Sequence, residues 1–116
     1  MKFAQIEDTG ANLIESYDAG HVRINGRDYA RGVVVSAQHI EVDWGPDDMT
    51  GLTVEHLEAA LGASTQVLIL GTGARQRFPA PEVQFALLRR GIGLEVMDTG
   101  AACRTYYILV SEGRDV

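Results

Sequence analysis

The stretch VLILGTGARQRFPAPEVQFALLRRGIGLEVM, residues 67–97, decides the fold. Val67-Leu68-Ile69-Leu70 is an unbroken apolar run, the pattern of a strand covered on both faces. Gly71-Thr72-Gly73 follows as a turn. A helix is expected over Pro81–Arg90. Proline suits its first position, Arg89 and Arg90 complement the dipole at its C-terminal end, and Gly91 stops it. Val83, Leu87 and Ile92 are its inward residues, with Phe85 or Leu88 flanking. Leu94–Met97 is a second short strand. Strand, helix and strand within about 30 residues make a βαβ unit, which implies parallel pairing.

Upstream the style changes. Leu13–Tyr17 and His21–Ile24 alternate apolar and polar side chains around Asp18-Ala19-Gly20, a hairpin signature. Asn25-Gly26 is a strong turn signal and feeds a strand over Tyr29–Val35. His39–Trp44 alternates again. Residues 45–51 form a loop, and Thr53 caps a helix over Val54–Leu61 whose buried face is Leu57, Ala60 and Leu61. Downstream, Ala101–Ser111 holds β-prone Thr105, Tyr106, Tyr107, Ile108 and Val110. Cys103, Tyr106, Tyr107 and Val110 nevertheless recur at helical spacing and Gly113 supplies a stop, so this stretch is read as helix. Residues 1–12 are read as a loosely ordered tail. The expected architecture is α/β: a β-rich N-terminal half followed by the βαβ unit.

With 116 residues the chain suits one domain spanning 1–116. A hydrophobic fraction of 46% and a charged fraction of 22% are those of a globular protein. The net charge of −6 offers no basic excess to neutralise phosphates, which argues against nucleic acid or an anionic membrane as the main partner. The N-terminus has no apolar run of signal-peptide type, and no stretch is long enough to span a membrane. The lone cysteine, Cys103, cannot form an internal disulfide. A cytoplasmic location is expected.

Two motifs carry the chemical candidates. Gly71-Thr72-Gly73 after a buried strand could bring N–H groups near an anion. It fits the dinucleotide fingerprint poorly, because Gln76 stands where the third glycine belongs and the helix starts late. A tight turn at the sheet edge explains it better. Arg75 and Arg77 beside it are read as solvated surface arginines rather than an anion clamp. The second motif is Met97-Asp98-Thr99-Gly100-Ala101-Ala102-Cys103-Arg104-Thr105-Tyr106. Asp98 or Thr99 is suited to cap the following helix. Cys103 near a helix N-terminus and beside Arg104 would gain thiolate character, whereas burial among Ala101, Ala102 and Tyr106 would oppose it. Burial is expected to win. His21, His39 and His56 have no metal-ligand spacing, so no metal site is expected. Trp44 is read as a core or rim anchor.

Together these segments resemble the Mth938-like domain family. The resemblance rests on Gly71-Thr72-Gly73, the helix from Pro81-Glu82, Val96-Met97-Asp98-Thr99, the run Ala101–Tyr106 and Glu112-Gly113-Arg114. The Ile24-Asn25-Gly26 turn, Tyr29 and Trp44 agree. It covers nearly the whole chain from about Leu13. It implies a three-layer α/β fold with a mixed central sheet, and no established enzymatic activity or cofactor. The family includes an assembly factor for respiratory complex I. Tyr107 stands where the family usually has asparagine, and a final edge strand after Arg114 is expected to be absent or abbreviated. The expected function is therefore a non-catalytic binding or assembly factor with protein partners. The alternative is an enzyme, or a binder of a small ligand or anion, with a pocket built from Gly71, Thr72, Gly73, Asp98, Thr99, Cys103, Arg104, Thr105, Tyr106 and Arg114.

Overall fold

A computed structural model describes residues 10–18 and 20–116. The expected tail therefore lies mostly outside the described residues. Its end does not hang free: Asn12 donates its backbone N–H to the Ala37 carbonyl and its side-chain amide to the Ser36 carbonyl.

Three antiparallel strands come first: β1 (Ile14–Asp18), β2 (His21–Ile24) and β3 (Arg27–Tyr29). Asn25 at φ 49° and Gly26 at φ 84° form the two-residue turn between β2 and β3, the conformation that suits the right-handed strand twist. The hairpin β4 (Val33–Ser36) and β5 (His39–Val42) follows. A continuous strand over 29–35 was the sequence expectation. The chain instead breaks at Ala30–Gly32, because the Gly32 carbonyl accepts the N–H of Trp44 at 2.8 Å from outside the hairpin ladder. The strand expected to reach Trp44 stops at Val42, where Asp43 turns to φ 53°.

Helix α1 (Val54–Ala59) carries a reciprocal N-cap. The Thr53 hydroxyl accepts from the His56 N–H, and His56 Nδ1 accepts from the Thr53 N–H. One of the three histidines thus serves local structure. The decisive stretch folds as read: β6 (Val67–Gly71), α2 (Pro81–Arg89) and β7 (Gly93–Met97), with β6 and β7 parallel. Helix α3 (Thr99–Ser111) closes the chain. Its end is a Schellman turn in which Gly113, at φ 77°, donates to Val110 and Arg114 donates to Leu109. The Glu112-Gly113-Arg114 motif is that cap. Beyond it, the Asp115 carbonyl accepts from the N–H groups of Gln66 and Val67 beside β6.

The architecture is mixed α/β, with antiparallel and parallel pairings shared, among the described residues, by three hydrogen-bonded sheets. Strand β6 lies at the centre because its side chains alternate between two apolar clusters. Leu68 and Leu70 join Leu57, Val83 and Leu87 from α1 and α2. Ile69 joins Ile14, Ile24, Cys103, Tyr106 and Val110 from the antiparallel strands and α3. That two-sided burial is why the run 67–70 is apolar throughout. Phe85 and Leu88, expected to flank the buried face of α2, are 56% and 59% exposed.

Candidate functional site

The C-terminal ends of β6 and β7 meet the N-terminus of α3, and there the two sequence motifs converge. Gly71 permits the approach: a Cβ on it would lie 3.2 Å from both the Ala102 Cβ and the Thr99 Cα. The turn after it is closed by reciprocal bonds. The Gly73 N–H donates to Thr99 Oγ1 at 2.8 Å, and the Thr99 N–H donates back to the Gly73 carbonyl at 2.9 Å. The Thr72 N–H donates to the Met97 carbonyl, and the Thr72 hydroxyl bridges from Arg75 and Met97 carbonyls to the Arg77 N–H. The N–H groups of Thr72 and Gly73 are thus spent on the protein, so the turn acts as a clasp between β6 and α3.

Asp98 caps α3 by accepting from the Ala101 N–H at 2.9 Å. Replacing it with alanine is expected to lower unfolding free energy by about 1 kcal/mol, with Asp98→Ser avoiding most of that loss because serine also caps. Urea denaturation of the two variants checks this; equal stability of Asp98→Ala and wild type would remove the cap from the account. Thr105 donates its hydroxyl to the Met97 sulfur, and Tyr106 donates its hydroxyl to the Asn12 carbonyl at 3.0 Å, pinning the start of β1 to α3. Arg104 and Arg114 are exposed.

Cys103 is 3% exposed. Burial pushes its thiol from 9.0 to about 11, against the opposing charge of Arg104. Burial also raises the Tyr106 phenol from 10.0 to about 12. The folded protein therefore holds both protons to higher pH than the unfolded chain. Their contribution to stability is complete below pH 9 and is lost as pH rises, between about 9 and 11 for Cys103 and about 10 and 12 for Tyr106. Alkaline denaturation monitored by circular dichroism should steepen in that range and flatten in Cys103→Ala and Tyr106→Phe. At neutral pH the thiol should react with N-ethylmaleimide more slowly than free cysteine.

Behind the clasp lies a cavity of about 260 Å³. Gly71, Gly73, Thr99, Cys103 and Tyr106 form one wall of it. Thr72, Asp98, Arg104, Thr105 and Arg114 are not part of that lining. The opposite wall is one that sequence reading did not find: Val22, Tyr29, Val33, Val35 and Trp44. Trp44 is held there by its indole N–H, which donates to the His56 carbonyl at 2.9 Å. The sequence placed Val22 on an alternating strand, Tyr29, Val33 and Val35 in one strand and Trp44 as a core or rim anchor, but only the packed strands show that they leave space between them.

Arg75 and Arg77 lie on the far side of the turn, in a shallower cavity of about 380 Å³ shared with Asp47 and Asp48. The Asp48 carboxyl is held below its usual range first by the Thr50 N–H, then by the Thr50 hydroxyl, and also by the charge of Arg77. Acids thus face the arginines, which argues against an anion cradle. Among the described residues no group of three or more His, Cys, Asp or Glu side chains could hold a metal ion, and no helix is long and apolar enough to cross a membrane.

This mixed α/β fold is that of an Mth938-like domain. The chain belongs to the family described as protein of unknown function (DUF498/DUF598), whose model matches residues 14–116. A solved Bordetella pertussis protein described as an Mth938-like domain superimposes with a TM-score of 0.79 at 29% identity, over 98% of this chain and 87% of that one. A Bordetella parapertussis crystal structure gives 0.84 at 35% identity, over 92% of each chain. Among curated relatives, the zebrafish NADH dehydrogenase (ubiquinone) 1 alpha subcomplex assembly factor 3 is 36% identical over 98% of this chain and 66% of its own length. The human protein of that name is 31% identical over 98% of this chain and 62% of its own length. The chain thus spans about two thirds or less of those factors. A Francisella tularensis relative, 29% identical over 90% of this chain and 85% of its own length, is named a 13 kDa major membrane protein.

Proposed function

We propose that this chain is a non-catalytic, cytoplasmic assembly factor that binds protein subunits of a respiratory NADH dehydrogenase. The observation that carries this reading is the likeness to assembly factor 3 over 98% of the chain. The site supports it, because the polar groups of the family-defining motifs serve the clasp, the helix cap and the Tyr106 tether.

The surface offers a place for a partner. Phe85 and Leu88 lie one helical turn apart on α2 and are 56% and 59% exposed, and Phe78 just before the helix is 66% exposed. Exposed apolar side chains grouped in this way mark interaction sites more often than singly scattered ones do. The neighbouring arginines are largely matched within the chain: Arg90 pairs with Glu58, and Arg75 and Arg77 share their cavity with Asp47 and Asp48. The complementary partner is a polypeptide that presents apolar side chains to Phe85 and Leu88.

The test is genetic and biochemical. Deleting the gene should reduce assembled NADH dehydrogenase on native gels, and the wild-type chain should restore it. A Phe85→Asp/Leu88→Asp variant should fail to restore it while keeping a near-normal melting temperature, since both side chains already face solvent. Full assembly in the deletion strain would end the proposal. Full rescue by the double variant would move the docking surface off α2.

A further inference from the structure

The cavity behind the clasp has no part in the reading above. Its volume, about 260 Å³, exceeds that of the roughly 150 Å³ engineered apolar cavity that stays dry and takes up benzene. It falls just below the usual range of roughly 300–1,000 Å³ for drug-sized ligands. Its walls come from separate elements, β1, β2, β3, β4, β6 and α3, so the space is a feature of how they pack together. The lining is chiefly apolar, through Ile14, Val22, Val33, Val35, Ile69 and Leu70.

Three polar groups in the lining are already committed. The Trp44 indole N–H is bonded to His56, the Tyr106 hydroxyl to Asn12, and Thr99 Oγ1 to Gly73. Arg31 stands at this lining too, with a side chain 74% exposed and its guanidinium 3.5 Å from the Asp43 carboxylate. No buried side-chain polar atom among the described residues lacks a partner. A charged headgroup would find no dedicated partner inside and would bear its desolvation cost uncompensated. An apolar body would gain the dispersion contacts that the open space forgoes.

From this geometry we infer that the cavity is a binding site for a small, uncharged, predominantly apolar molecule, such as a short aliphatic or aromatic compound. Its occupant lies against β2 and β4 on one side and the first turns of α3 on the other. Trp44, the single tryptophan, forms part of the wall and reports on occupancy.

The test uses the full chain with isotope-labelled methyl groups and 1-octanol as the probe, alongside octanoate and octylamine. Octanol should shift the methyl signals of Val22, Val33, Val35 and Ile69 along one saturable curve. Val83 and Leu87, in the opposite cluster, should not move. Trp44 emission should change over the same concentrations. Val33→Phe, which fills the space, should weaken octanol binding about tenfold or more, equivalent to about 1.4 kcal/mol. Val35→Phe serves if that variant does not fold, and the methyl map of the wild type stands without either. Shifts spread equally over both clusters would mean unspecific partition and overturn the site. So would the absence of saturable shifts. Octanoate binding about tenfold tighter than octanol would overturn the uncharged class and assign the mouth to a carboxylate beside Arg31.

Discussion

Gly32→Ala should lower the unfolding free energy by about 3 kcal/mol, at the upper end of what overpacking costs. A Cβ on Gly32 would overlap the Trp44 carbonyl oxygen outright and stand 2.9 Å from its carbon. The obstacle is backbone rather than the tip of a flexible side chain, so it cannot swing aside. Relief requires β4 and the Trp44 segment to separate, which strains the 2.8 Å bond from the Trp44 N–H to the Gly32 carbonyl. Trp44 would then lose its position at the cavity wall, so its emission should change in the folded variant as well. The control is Gly93→Ala in β7, where an added Cβ meets nothing within 4 Å. Urea denaturation compares the two. A smaller loss for Gly32→Ala than for Gly93→Ala would show that the close approach is not what holds this junction.

Adjacent leucines on α2 should behave oppositely. Leu87 is 0% exposed in the cluster formed with Leu57, Leu70 and Val83. Truncation to alanine removes its buried methyl groups and leaves a cavity, at a cost of about 2–5 kcal/mol. Leu88, 59% exposed, should lose no more than about 0.5 kcal/mol on the same change. The pair separates stability from recognition: Leu87→Ala should act on partner binding only through unfolding, whereas Leu88→Ala should weaken it in a protein of normal stability. Thermal and urea melts of both variants decide the first half. Similar losses for the two would mean that the solvent-facing side of α2 packs against something in the folded chain.

What could be read from the amino-acid order was whatever a segment does with its own neighbours. The apolar run at 67–70, the proline start and glycine stop of α2, the Asn25-Gly26 turn, the Asp98 cap and the Gly113 stop all rest on interactions within a few residues, where residue type and spacing are sufficient. The family followed from the same local motifs, above all the run 97–106. The burial of Cys103 was also legible, from its apolar neighbours on one helix face. Tertiary structure alone decided the rest. The strand expected over 29–35 breaks because Gly32 meets the backbone of Trp44. The Gly-Thr-Gly turn offers an anion little because its N–H groups are taken by Met97 and Thr99, the latter 26 residues on from Gly73. The ten polar and small residues picked out as one pocket divide because a helix turns successive side chains in different directions, so Cys103 and Tyr106 reach the cavity while Arg104 faces solvent. The cavity exists only where β1 to β4, β6 and α3 come together, and no pattern within a single segment encodes the space left between them.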